Sequence, residues 1–122
     1  MPDHAASIVQ VVRRIDGEEL DFSVASLQTV DRLLDRFHDA GDDPNCMAET
    51  LFQFGSYIGE VIVHQANGTW VTVPPEHPLG GGWPLVEVSG ERLVNPIGKA
   101  FARVSNGQGD SVAYFYQALV AT

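Results

Sequence analysis

Cysteine and lysine are the scarcest features of this 122-residue sequence, with one of each, Cys46 and Lys99. A lone cysteine excludes an internal disulfide framework and every multi-cysteine zinc site, and it suits a reducing compartment. Lys99 and six arginines stand against 16 acidic residues, leaving a net charge of −9. Binding to nucleic acid or an anionic membrane relies on Lys and Arg that neutralise phosphates, so neither is an expected partner. No apolar run approaches the 18 or so residues of a membrane span, and Asp3 and His4 replace the basic start of a secretory signal. A cytoplasmic protein is the expectation. At this length folding buries roughly 65% of the extended chain's surface, enough for one core, so residues 1–122 read as a single domain.

Charge is unevenly spread. Residues 1–61 hold twelve acids and four bases, residues 62–122 four acids and three bases. Helical periodicity is clearest over residues 23–38, where Leu27, Val30, Leu33, Leu34 and Phe37 recur at three- and four-residue spacing and Asp31, Arg32, Asp35 and Arg36 take the other side. Ser23 is the expected N-cap, Phe22 and Leu27 have staple spacing, and Gly41 with the turn-rich run to Asn45 ends the helix. From Cys46 to Ala66, Met47, Leu51, Phe54, Ile58, Val61 and Ile62 keep helical phase, and Gly55 and Gly59 form a bare stripe against which a neighbour can pack. VIVHQ, Asn67-Gly68 and TWVTV also fit a tight β-hairpin. The helix is preferred, with Asn67-Gly68 as its left-handed stop.

Thr69–Val73 and Leu85–Val88 read as an antiparallel hairpin flanking the long loop Pro74–Pro84, which holds four prolines and Gly80-Gly81-Gly82. Asn95-Pro96 starts a helix carrying Ile97, Phe101 and Val104, stopped at Asn106-Gly107. Asp110 is the expected cap of a last helix with Val112, Phe115, Tyr116 and Leu119 inward. Residues 5–15, with Ile8, Val11, Val12 and Ile15, have helical phase despite β-branching. The predicted class is α+β, mainly helical, with a small antiparallel hairpin.

The chemistry-bearing groups are few. Glu60 and His64 share a helix face, but two ligands do not make a metal site, so no metal or other cofactor is expected. Asp35, Asp39, Asp42, Asp43, Asn45 and Glu49 crowd one helix end without the spacing of a calcium loop. Acids there oppose the helix macrodipole, which favours a cationic partner at Asp35, Asp39, Asp42 and Asp43. Cys46 has no motif linking it to His38 or His64, and no Gly-x-Ser-x-Gly elbow occurs, so no catalytic residue is assigned. The triple glycine leads through Trp83-Pro84 into a strand instead of a helix N-terminus, which argues against a phosphate cradle. His77 and Trp83 remain possible contacts of a binding loop. Tyr57 and Glu60, three apart beside the glycines, are either a buried brace or, with His64 and Trp83, the lining of a small-molecule cleft.

Leu20-Asp21-Phe22-Ser23, Ser26-Leu27, Val30-Asp31, Phe54-Gly55-Ser56-Tyr57-Ile58-Gly59-Glu60-Val61-Ile62, Gly68-Thr69-Trp70, Asn95-Pro96 and Tyr114-Phe115-Tyr116, in this order, resemble a group of small uncharacterised bacterial domains. The pattern spans about residues 20–116, and Phe22 stands where tyrosine is expected. The resemblance implies a bacterial cytosolic domain and assigns no activity. Three functions follow as expectations: a non-enzymatic module that docks a cationic protein in the manner of immunity or antitoxin-like proteins, a ligand-binding or enzymatic domain using the cleft, or an oligomeric component packed through its glycine face.

Overall fold

A computed structural model describes residues 2–79, 82–89 and 91–121. Helix α1 (Pro2–Asp16) is followed by α2 (Ser26–Asp39), a 3-10 turn (Pro44–Met47) and the long α3 (Ala48–Ala66). Strands β1 (Thr69–Val71), β2 (Leu85–Val88) and β3 (Arg92–Val94) come next, then α4 (Pro96–Asn106), a second 3-10 turn (Gly107–Asp110) and α5 (Val112–Val120). The class is α+β and mainly helical, as expected. The sheet has three strands in the order β1-β2-β3, both pairings antiparallel, where the sequence suggested two. The third strand is three residues long, Arg92-Leu93-Val94, and is entered through Glu91 at φ 62. A half-buried strand this short leaves no alternation to read.

Helix α3 is the axis of the fold. It packs against α1, α4 and the sheet, and Leu51, Phe54, Tyr57, Ile58, Val61 and Ile62 from it enter one core with Ile8 and Val12 of α1, Leu27, Val30 and Leu34 of α2, and Val104, Val112 and Tyr116 of α4 and α5. It ends at Asn67, φ 56 and ψ 39, so the left-handed stop is the observed use of Asn67-Gly68 and the alternative hairpin is not formed. The glycine stripe is filled from within the chain. A Cβ on Gly55 would collide with the backbone of Ile97, and one on Gly59 with the indole of Trp70. That stripe is therefore not a face left for a second subunit.

Several helix starts differ from expectation: α1 begins at Pro2, ahead of the expected residue 5, and α3 at Ala48, because Cys46 and Met47 lie in the 3-10 turn. Helix α2 begins at Ser26, three residues late, because residues 23–26 form a preliminary turn in which the Ser23 hydroxyl accepts from the Ser26 N–H at 3.1 Å. The cap of α5 is Ser111, which accepts from the Tyr114 N–H at 3.2 Å; Asp110 instead pairs with Lys99 and Asn106. Asn95 caps α4 through the Gly98 N–H at 2.8 Å, as the sequence predicts. On α5, Val112, Tyr116 and Leu119 are buried, while Phe115 is half-buried under the Lys99 ammonium, 5.4 Å from its ring centroid. On α1, Val11 and Ile15 share the helical phase of the core residues yet lie 39% and 75% exposed.

Candidate functional site

Tyr57 is fully buried, and its hydroxyl sits in a closed relay. The Phe22 N–H donates to it at 2.8 Å, and it lies 2.6 Å from Ser26 Oγ. Ser26 gives its own proton to the Ser23 carbonyl at 2.6 Å, so the phenol must donate to Ser26. The Gln65 amide donates to the Phe22 carbonyl at 2.9 Å, which ties both sides of a residue held at φ 63. Burial pushes the Tyr57 phenol above its ordinary value, with its hydrogen-bonding contacts to Ser26 and the Phe22 N–H working the other way.

Glu60, 6% exposed, accepts the Trp70 indole N–H at 2.7 Å and lies 3.5 Å from His64 Nε2. A carboxylate acceptor makes this indole bond a strong one. Gly59 gives Trp70 the room to reach Glu60. Tyr57 and Glu60 are thus committed to holding the Phe22 segment and β1 against α3.

Trp83 does not join them. Its ring packs between Phe52 of α3 and Phe101 of α4, at centroid distances of 5.7 and 5.6 Å, and His4 meets Phe52 edge-on at 4.8 Å. Phe52 and Glu60 are eight residues apart, about 12 Å along the helix. The expected cleft of Tyr57, Glu60, His64 and Trp83 is therefore not formed, because the aromatic faces of Phe52 and Phe101 draw Trp83 to the opposite end of α3. His77 accepts from the Leu79 N–H at 3.2 Å, and the Leu79 carbonyl accepts from the Asn95 amide at 2.6 Å, which pins the loop to the start of α4. Gly80 and Gly81 of the triple glycine lie outside the described residues.

The four acids suggested for a cationic partner separate into two kinds. Asp35 is drawn inward to Arg103, Oδ1 to Nη2 at 3.0 Å, alongside Asp31. Asp39, Asp42 and Asp43 are exposed, and Asp43 caps the 3-10 turn by accepting from the Asn45 N–H at 3.0 Å. Asp31 and Arg103 are the pair that the sequence hides. Arg103 is 2% exposed and donates from Nε to Asp31 at 3.0 Å. Asp31 also accepts from the Val112 and Ala113 N–H groups and from the Ser111 hydroxyl, so it closes the N-terminus of α5. Arg103 Nη1 is buried without a hydrogen-bond partner among the described residues. A cavity of about 320 Å³ lies beside this cluster, bounded by Asp31, Arg32, Asp35, Arg103, Gln108 and Ser111.

A second cavity, about 270 Å³, runs between α1, α2 and α3 and is lined by Val11, Ile15, Leu33, Phe37, Thr50 and Phe54 among others, with the Asp16–Arg36 ion pair at its edge. Val11 and Ile15 were legible in the sequence as apolar positions in helical phase, with no sign there that they would stay exposed. Among the described residues no three His, Cys, Asp or Glu side chains gather as a metal site, and no helix is long and apolar enough to cross a membrane.

No family model and no curated protein matches the sequence. Among solved structures, a protein of Bacteroides thetaiotaomicron VPI-5482 is similar over 98% of this chain, with a TM-score of 0.72 and 16% identity. The match covers 42% of that protein's length. At this identity the likeness shows the fold alone.

Proposed function

We propose that the chain is a non-enzymatic, cytoplasmic protein-binding module that docks a basic protein through the acidic surface at the end of α2 and the turn that follows. The observation that carries this reading is how the cations are spent. Arg13 pairs with Glu19, Arg32 with Glu18, Arg36 with Asp16, Lys99 with Asp110, and Arg103 with Asp31 and Asp35. Asp39, Asp42 and Glu49 are exposed, and among the described residues no ion pair holds them. Exposed acids that no ion pair holds among the described residues thus cluster where α2 ends, and on a −9 chain such a patch steers a cationic partner and sets its register. The single exposed free thiol, Cys46, fits a reducing compartment.

Capture from the native host at low salt tests the proposal, comparing the natural chain with an Asp39→Lys, Asp42→Lys variant. Asp43 is left in place because it caps the 3-10 turn. The expected result is a basic protein retained by the natural chain, released by salt and lost from the variant. Retention that is equal in both, or capture of no basic protein, overturns the reading.

A further inference from the structure

We propose that the cavity at the meeting of α2, α4 and the start of α5 is a binding site for a small uncharged amide, a role that goes beyond the docking reading and does not depend on it. At about 320 Å³ the cavity falls within the roughly 300–1,000 Å³ of small-molecule sites. All six residues that bound it are polar or charged: Asp31, Arg32 and Asp35 from α2, Arg103 from α4, Gln108 from the second 3-10 turn and Ser111 from the cap of α5. A wall without an aliphatic or aromatic side chain gives an apolar guest nothing to bury against, so the occupant is a polar molecule.

The hydrogen-bonding capacity of the wall selects the group. Asp31 is full: its Oδ1 accepts from Arg103 Nε and the Val112 N–H, and its Oδ2 from the Ser111 hydroxyl and the Ala113 N–H. Ser111 gives its proton there and accepts from the Tyr114 N–H. Three groups are left over. Arg103, 2% exposed, is engaged through Nε and Nη2, while Nη1 is buried without an acceptor among the described residues, a rare state that an occupant relieves. Asp35 gives Oδ1 to Arg103, and among the described residues nothing donates to its Oδ2. The exposed Gln108 amide has no partner among them either.

Charge narrows the choice. The two arginines and two aspartates of the wall sum to zero, and each already faces an opposite charge, Arg32 by way of Glu18. A cation has no acceptor for Nη1, and an anion that offers one must approach Asp31 and Asp35 to do so. An uncharged amide presents a carbonyl oxygen for Arg103 Nη1 and an N–H for Asp35 Oδ2 in one planar group. Arg32 and Gln108 are the exposed side chains of the wall, and so the ones able to move aside as the carbonyl reaches Nη1.

Backbone amide shifts of the natural chain, titrated with acetamide, acetate and methylammonium, test this. The expected result is saturable shifts centred on Asp35, Arg103, Gln108 and Ser111, with acetamide bound at least about tenfold more tightly than either ion, the scale of one hydrogen bond to a charged group. Arg103→Lys keeps a charge between the aspartates and removes Nη1, and is expected to weaken acetamide binding by about tenfold or more. Where that variant melts far below the natural chain, Asp35→Ala, at a half-buried position, carries the comparison, with the same loss expected. N-acetylglycine N-methylamide separates the sources of the group: tighter binding than acetamide makes the guest a peptide segment, and weaker binding makes it a free primary amide. No saturable shift, shifts centred elsewhere, equal binding of acetamide and the two ions, or unchanged binding in the variants overturns the site and leaves Nη1 to water alone.

Discussion

Gly55 and Tyr57 show how much one position on α3 can decide. Alanine at Gly55 gains about 1 kcal/mol of helix propensity and pushes a methyl into the Ile97 backbone, which cannot swing aside as a side-chain end can. Overpacking costs about 1–3 kcal/mol, so the substitution is expected to lower the urea midpoint despite the better helix former. At Tyr57, phenylalanine keeps the ring but orphans the Phe22 N–H and one lone pair of Ser26, a loss of about 1–3 kcal/mol at neutral pH. It also weakens the hold on Phe22, whose left-handed backbone costs about 1–2 kcal/mol. The natural chain has a further signature. Because burial raises the Tyr57 pKa in the folded state, its contribution is complete below the unfolded value of about 10 and is lost as pH rises through the folded one. Unfolding followed across alkaline pH should therefore show the gap between natural chain and Tyr57→Phe narrowing above about pH 10. The glycine stripe was legible as a packed face from spacing alone, since two glycines in a helix need a reason. Which neighbour fills it was not, because Ile97 and Trp70 reach it only through the tertiary fold.

Among the elements, the junction of α2, α4 and α5 depends on one carboxylate. Asp31 holds the Arg103 guanidinium and three donors at the start of α5, two of them backbone N–H groups. Alanine at Asp31 leaves a buried guanidinium with the residue 31 carbonyl and one carboxylate, Asp35, and at the same time orphans the Val112 and Ala113 N–H groups at the start of α5. Breaking a buried pair from one side costs about 3–5 kcal/mol, and that scale is expected in denaturant unfolding. Amide exchange should accelerate at Val112 and Ala113 before the rest of α5, which separates loss of these two bonds from general destabilisation. Sequence reasoning placed Asp31 on the polar face of its helix and did not single out Arg103, because periodicity reports which side is apolar and says nothing of which polar groups meet. It assigned the cap of α5 to Asp110 for a related reason: Asp110 and Ser111 are adjacent good caps, and only the 3-10 turn places Ser111 at the helix start. Helix α3, by contrast, was readable but for its first turn, since its apolar phase holds for 19 residues and Asn67 supplies the stop, while Cys46 and Met47, expected in the helix, belong to the 3-10 turn. Trp83 was misplaced because a loop aromatic carries no phase to say which end of α3 it will meet.

For the molecule as a whole, the uneven charge that marks the sequence gives two salt responses of opposite sign. In the free chain the exposed acids at the end of α2 repel one another and the negative end of the helix dipole, an energy that ions screen. The paired arginines at the surface offset little of this, because exposed pairs such as Arg13–Glu19 contribute about 0–1 kcal/mol and are screened as well. Raising salt from about 0.01 M to about 0.15 M shortens the Debye length from about 30 Å to about 8 Å, and the melting temperature is expected to rise. Asp39→Lys, Asp42→Lys adds four charges, taking −9 to −5, and should flatten that rise while melting at or above the natural chain in low salt. Association with a cationic partner is expected to move the other way, weakening over the same interval as the attraction is screened. A stabilising effect of salt on the fold and a weakening effect on binding, both removed by the same two substitutions, would trace both to the acidic turn. If salt instead lowers the melting temperature, the surface ion pairs outweigh the repulsion, and the field at the end of α2 is too weak to steer a partner.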